Sequence, residues 1–255
     1  MFSKIIENKL YIELGPTNLL VEVVDRDKNK IFNYIIENLP KMLREISSEI
    51  KYLKMRSDNN HCFKFDVTKK MYFSSKVFLP SFITPMACVA GAVSEQLLEN
   101  ILSKFNPNKL LINNGGDIAL FLNKKQSLKL LIANNNEIVL TLDGNKTRFG
   151  IATSGWRGRS FSLGIADSVT VIGNNACIAD AAATMIANDI NIVNHPNIER
   201  KKALEIDDHS DLKETFVTTF VGKLSEKEIK ESLERGKKTA EKYINDKIIL
   251  SAILN

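Results

Sequence analysis

Asp180 and Thr184 are separated by Ala181-Ala182-Ala183 in a segment whose small residues favour a helix. Positions i and i+4 share a helix face, so a carboxylate and a hydroxyl would stand side by side. Two hard oxygens beside a smooth alanine surface suit a divalent cation such as Mg²⁺, which takes further ligands from phosphate and water. The plainer alternative is a buried alanine-rich helix in which Asp180 caps and Thr184 bonds back to a carbonyl. A second polar cluster, Asn113-Asn-Gly-Gly-Asp117, joins two apolar runs. It reads as a hairpin turn, or as a place where a flat ligand or phosphate reaches backbone amides with Asn113 or Asp117 as anchor. A third, Thr153-Ser-Gly-Trp-Arg-Gly-Arg-Ser160, combines hydroxyls, glycines and two arginines that could hold a pyrophosphate. Its alternative is an ordinary surface loop.

The elements that must position these clusters can be read from periodicity. Lys9 to Leu14 and Leu19 to Asp25 alternate apolar and polar residues across Gly15-Pro-Thr-Asn18, a hairpin pattern. Ile31 to Leu53 has helical spacing interrupted by Pro40, which predicts a kink or two helices. Residues 64–79 read as extended. Pro85 suits a first helical turn with Thr84 as its cap, and that helix should reach about Phe105, its small residues around Gly91 allowing close packing. Strands follow at 109–113, 118–123, 128–133, 137–143 and 147–152, with connectors such as Asp143-Gly-Asn145 indicating antiparallel hairpins. Ser168 to Gly173 is another strand, and the alanine-rich helix spans about Cys177 to Asn191. Residues 194–212 read as irregular, Phe216 to Val221 as a strand, and Ser225 to Tyr243 as a charged amphipathic helix. The mixture is α+β, an antiparallel sheet covered by helices, in one domain over 1–255 with a motif-bearing core at 80–190 and a C-terminal helix at about 225–245.

Composition narrows the function classes. Hydrophobic residues at 44% and charged residues at 25% of 255 describe an ordinary globular chain. The net charge of +5 is spread through short basic groups such as Lys69-Lys70, Lys124-Lys125 and Arg200-Lys-Lys202, which argues against nucleic acid while favouring approach of anionic small molecules. Cys62, Cys88 and Cys177 form no Cys-x-x-Cys pair, and no secretory signal or long apolar run is present. The expectation is therefore a cytoplasmic protein with no membrane span. His61, His195 and His209 neither cluster nor show zinc spacing, so acid–base chemistry falls to Asp117, Asp167 or Asp180. His61 reads as a surface residue near a turn.

Ile112-Asn-Asn-Gly-Gly-Asp-Ile118, Ala152-Thr-Ser-Gly155, Asp167-Ser-Val-Thr-Val171 and Ala179-Asp-Ala-Ala-Ala-Thr184 together resemble the ordered motifs of ApbE proteins, which are flavin-binding FMN transferases. Thr84 to Glu95 falls where that family has a Gly-Gly-Ile-Ala-Lys-Gly helix start. The resemblance covers about 80–190 and is nearest to the uncharacterised branch of archaea and anaerobic bacteria. It implies a T-fold-like architecture with helices on one side of the sheet. It also implies Mg²⁺ on Asp180, Thr184 and a carbonyl near Val89 or Ala90. An FAD or FMN site would be lined by Asn113, Gly115, Gly116, Asp117, Thr153, Ser154 and Gly155.

Two departures qualify the implied activity. Ala90 stands where the family has lysine, and residues 156–166 contain no counterpart of the family's catalytic histidine segment. Losing a positioned base costs ~10²–10⁴ in rate. The pattern thus keeps the metal site and argues against FMN transfer onto protein. What remains is a Mg-dependent transferase or hydrolase acting on a flavin or nucleotide pyrophosphate. The alternative is a non-catalytic accessory protein, with a protein partner, in anaerobic sulfur or homocysteine metabolism. A homo-oligomer is compatible with either.

Overall fold

The computed structural model describes residues 1–123, 126–132, 138–143 and 147–255. Strand β1 (Phe2–Ile6) leads into the expected hairpin of β2 (Lys9–Leu14) and β3 (Thr17–Val24). Helix α1 (Lys28–Ser48) and the short α2 (Ile50–Leu53) follow, then α3 (Asp66–Lys76). A 3₁₀ turn at Pro85–Cys88 runs into α4 (Val89–Leu102). Next come β4 (Lys109–Asn114), β5 (Asp117–Leu122), β6 (Ser127–Ile132), β7 (Ile138–Asp143), β8 (Thr147–Ser154) and β9 (Val169–Gly173). Helix α5 (Ala176–Asp189), β10 (Ile198–Lys202), α6 (Ala203–Ile206), β11 (Phe216–Val221), α7 (Glu226–Asn245) and β12 (Ser251–Leu254) complete the order.

Eight strands form one sheet in the order β1-β2-β3-β4-β5-β8-β9-β12. Every neighbouring pair in it is antiparallel. The α+β expectation of an antiparallel sheet with helices is therefore met. Alternation along the strands separates two packing layers: Leu110 and Ile112 of β4 join the main core beneath the helices, whereas Leu111 joins Leu120, Leu122, Leu128, Ile151 and Ile172 on the other face. Leu128 belongs to β6, which pairs with β7, so β6 packs on that second face. The connector residues Gly144 and Asn145, and the outer ends of the expected strands at Ala133 and Glu137, lie outside the described residues.

Several sequence expectations need correction. Residues 64–79 are not extended but carry α3, whose inward face includes Val67, Thr68, Met71, Ser74 and Ser75. Polar side chains on a buried face hide the helical period, and Thr68 and Ser75 earn their burial through hydrogen bonds to Glu49 and Tyr72. Pro40 sits inside α1 without dividing it. The chain breaks instead at Glu49, whose carboxylate accepts from Lys64 N–H and Thr68 Oγ1. The helix after Pro85 ends at Leu102 rather than Phe105. Thr84 makes no capping bond; its hydroxyl donates to Asp211 Oδ2. Residues 194–212 are not wholly irregular, since β10 pairs with β11 as a separate two-stranded ribbon and α6 follows it. His61 is half-buried rather than a surface residue, stacked on Tyr52 with ring centroids 3.6 Å apart.

Candidate functional site

Helix α5 is fixed at its start by two acceptors. Asn175 Oδ1 takes the Ile178 N–H at 2.8 Å, and the buried Glu95 of α4 takes the Ala176 N–H at 2.7 Å. Burial pushes the Glu95 carboxyl up, and that backbone N–H pulls it back. Ala179, Ala181, Ala182 and Ala183 are fully buried, so the helix lies close against its neighbours. Gly91 of α4 permits the closest approach. A Cβ there would lie 2.4 Å from the Ala176 carbonyl oxygen and 2.8 Å from Asp180 Cβ. Gly91→Ala should therefore force α4 and α5 apart, costing about 1–3 kcal/mol and lowering Tm by about 2–10 °C in a thermal melt. An unchanged Tm would show that the two helices are not in this close contact.

This packing aims Asp180 at the beginning of α4, where Oδ2 accepts the Gly91 N–H at 2.9 Å. Asp180 is thus not the cap of its own helix. Thr184 does not bond back along α5 either; its hydroxyl lies 3.5 Å from the Ala87 carbonyl of the 3₁₀ turn, a distance at the limit of a hydrogen bond. Asp117 opens β5 beside them. Its backbone carbonyl accepts from Ser94 Oγ at 2.9 Å, and its carboxylate Oδ1 is buried with no hydrogen-bond partner. Burial pushes the Asp117 carboxyl up to about 7, against the pull of the Thr153 backbone N–H and the Arg159 charge. Burial, and then the Asp117 charge, drive Asp180 well above the usual carboxylate range, with the Gly91 N–H opposing. Among the described residues, no cationic side chain forms an ion pair with Asp180.

Asp117, Asp180, Thr184, Val89 and Ala90 all line one cleft of about 520 Å³. Phe82, Phe161, Leu163 and Met185 give it an apolar wall, while Arg159 adds a cation near Asp117. The guanidinium crosses Gly115, where a Cβ would come within 1.6 Å of Arg159 Nη2. Gly115 and Gly116 adopt φ of +67° and +120°, the conformations the tight β4–β5 hairpin requires. Asn113 Oδ1 accepts the Gly116 N–H at 2.8 Å within that turn. Together with Gly115 and Gly116 it borders a different depression, against β2 and β3. Thr153, Ser154 and Gly155 do not line the main cleft; Thr153 Oγ1 is 2.9 Å from Thr170 Oγ1, and Gly155 packs against the Asp167 backbone. Asp167 is occupied elsewhere, by Trp156 Nε1 at 3.0 Å and Arg157 Nε at 2.8 Å.

The segment 207–212, whose sequence predicts only part of an irregular stretch, brings Asp207, His209, Ser210, Asp211 and Leu212 to the border of this cleft. The bond from Thr84 to Asp211 fixes it on one side, and Lys54 Nζ donates to the His209 carbonyl on another. A histidine therefore stands at the cleft after all, contributed from outside the region where the motifs lie. His195 is elsewhere, with Nε2 2.9 Å from Glu228 Oε1.

With this geometry in hand, comparison with known proteins gives a consistent picture. A family model described as AbpE bacteria matches residues 3–255. The UPF0280 protein of Methanobrevibacter smithii is 36% identical over 187 residues, spanning 70% of this chain and 76% of that protein. The UPF0280 protein of Methanocaldococcus jannaschii is 41% identical over 113 residues, spanning 42% of this chain but only 44% of its relative. In three dimensions, the crystal structure of Pseudomonas stutzeri flavinyl transferase ApbE, apo form, matches with a TM-score of 0.51 and 13% identity. That match covers 73% of this chain and 86% of the other. At such identity the likeness concerns the fold. No helix among the described residues is long and apolar enough to cross a membrane.

Proposed function

From membership of the AbpE bacteria family, to which this chain belongs, we propose that the cleft beside Asp180 takes a divalent cation, Mg²⁺, together with the pyrophosphate of FAD or another nucleotide. The observation that carries this reading is the pair Asp117 and Asp180. Both reach one cleft, each is driven up by burial, and Asp117 Oδ1 has no protein partner. Buried carboxylates left this way destabilise a fold unless a positive charge joins them. The donor set of carboxylate, hydroxyl and nearby backbone carbonyls consists of hard oxygens, which fits Mg²⁺ rather than a thiophilic metal. Asp180, Thr184 and a carbonyl among Ala87, Val89 and Ala90 would hold the cation.

Bound there, the cation would neutralise phosphate oxygens and polarise a phosphorus–oxygen bond. Arg159 would pair with the same anion, kept in reach by the absence of a side chain at Gly115. Phe82 and Phe161 offer apolar surface for a ring system. Asp117, pushed up to about 7 by burial in the cation-free cleft, would be drawn to its charged form by a bound cation and so be placed to accept a proton. The reaction class is transfer or hydrolysis at a flavin or nucleotide pyrophosphate. FMN transfer onto protein is not part of the proposal, since 156–166 lack the family histidine.

FAD with Mg²⁺ at about 100 times its dissociation constant should stabilise the protein by about 2.7 kcal/mol, seen as a Tm rise of about 5 °C or more. FAD with EDTA should give little. No shift at saturating FAD and Mg²⁺ would overturn the reading and leave the accessory-protein alternative.

A further inference from the structure

Helix α7 carries a second surface that the cleft does not use. Ile229 is 44% exposed and, with the partly buried Leu233 and Leu254, lines an apolar groove between α7 and β12. Glu226, Lys230, Glu234 and Lys237 edge the same groove. The six helix residues recur at intervals of three and four, which places them on one stripe of α7. Their charges run acid, base, acid, base along the helix. Such an order complements itself when read backwards.

We propose that this stripe is a twofold interface between two copies of the chain, with the α7 helices antiparallel. An axis crossing α7 between Glu231 and Ser232 sets Glu226 against Lys237 of the second copy, Lys230 against Glu234, and Ile229 against Leu233. All three pairings share that axis to within a residue, about 1.5 Å along a helix. Isologous contacts demand this kind of self-complementarity. An apolar centre with a charged rim is also the usual anatomy of an interface.

Competing intramolecular pairs are weak. Lys237 lies 3.8 Å from Glu234 and 3.9 Å from Glu241, all exposed, and Lys230 has no ion-pair partner among the described residues. Pairs of this kind contribute little and can be exchanged. The neighbouring sheet edge agrees. β12 ends the sheet, and Leu250–Asn255 contains no charged side chain, whereas β1 at the opposite edge carries Lys4. Charge on a strand discourages pairing with other chains; the uncharged β12 suits a strand that borders an interface between copies.

Sedimentation velocity across a concentration series of the full chain tests this. The wild type should dimerise. Lys230→Glu should raise the concentration at half-dimerisation by about tenfold or more, because it creates two like-charge contacts across the axis. Lys230→Glu combined with Glu234→Lys should restore it, and a circular-dichroism melt of each variant separates lost association from lost folding. A monomeric wild type, an assembly indifferent to Lys230→Glu, or a folded double variant that stays monomeric would each overturn the proposal. The FAD and Mg²⁺ response is read separately, since none of these residues borders that cleft.

Discussion

Asp180→Asn is expected to weaken Mg²⁺ binding in the presence of FAD by about 100-fold, at the upper end of what even outer-shell ligand changes cost. The substitution is nearly isosteric, and the remaining side-chain oxygen can still accept the Gly91 N–H that Oδ2 accepts at 2.9 Å. Helix packing should therefore survive. What disappears is the negative charge, the quality a hard cation selects. Without metal the variant should match or exceed the wild type in Tm, because the carboxylate it removes is held well above its usual range by burial and by Asp117. Titration calorimetry and thermal melts measure the two effects separately. Equal Mg²⁺ affinity in variant and wild type would remove Asp180 from the cation site.

In EDTA, stability should fall as pH rises from about 4 towards 8. The Asp117 carboxyl has an ordinary value of 3.8 and is pushed up to about 7 in the folded chain. Between those values the folded protein keeps a proton that the unfolded chain has released. Stability then decreases with pH, the contribution being intact below the unfolded value and lost as pH passes the folded one. Asp180 moves in the same direction. Asp117 alone should cost on the order of 4 kcal/mol across this range, read as a falling urea midpoint, and Asp180 deepens the fall. Glu228, lowered to about 2 by its Ser225 hydrogen bonds, acts in the opposite sense, but only at more acidic pH. Asp117→Asn and Asp180→Asn should flatten the slope, and saturating Mg²⁺ with FAD should restore stability most at the alkaline end. A midpoint independent of pH over this range, with both variants tracking the wild type, would show that neither carboxyl is buried as described.

The turn holding Asp180 and Thr184 was legible because its alanines leave few alternatives to a helix and the four-residue spacing fixes the face. The hairpin at Asn114–Asp117 was legible because two adjacent glycines mark positive φ. By contrast, α3 was hidden: Thr68, Ser74 and Ser75 face inward, so its hydrophobic period is faint. β1 is exposed along its whole length and shows no alternation at all. β10, Ile-Glu-Arg-Lys-Lys, has one apolar residue and exists through its pairing with β11. The clustering of 207–212 at the cleft was beyond reach for a different reason. It depends on bonds to Lys54 and Thr84, more than a hundred residues away in the chain. Local pattern carries no trace of such partners. That Asn113 borders a different depression, and that Thr153 turns its hydroxyl to Thr170 while its backbone N–H serves Asp117, likewise follows from strand geometry, which motif order alone does not convey.

The segment 207–212 belongs to the loop between β10 and β11, a ribbon outside the eight-stranded sheet, whereas Asp117 and Asp180 stand on β5 and α5. The two walls of the cleft thus rest on separate parts of the fold. A chain that shares the Asp-x-x-x-Thr turn therefore shares one wall of the cleft only, the ribbon loop shaping the other independently.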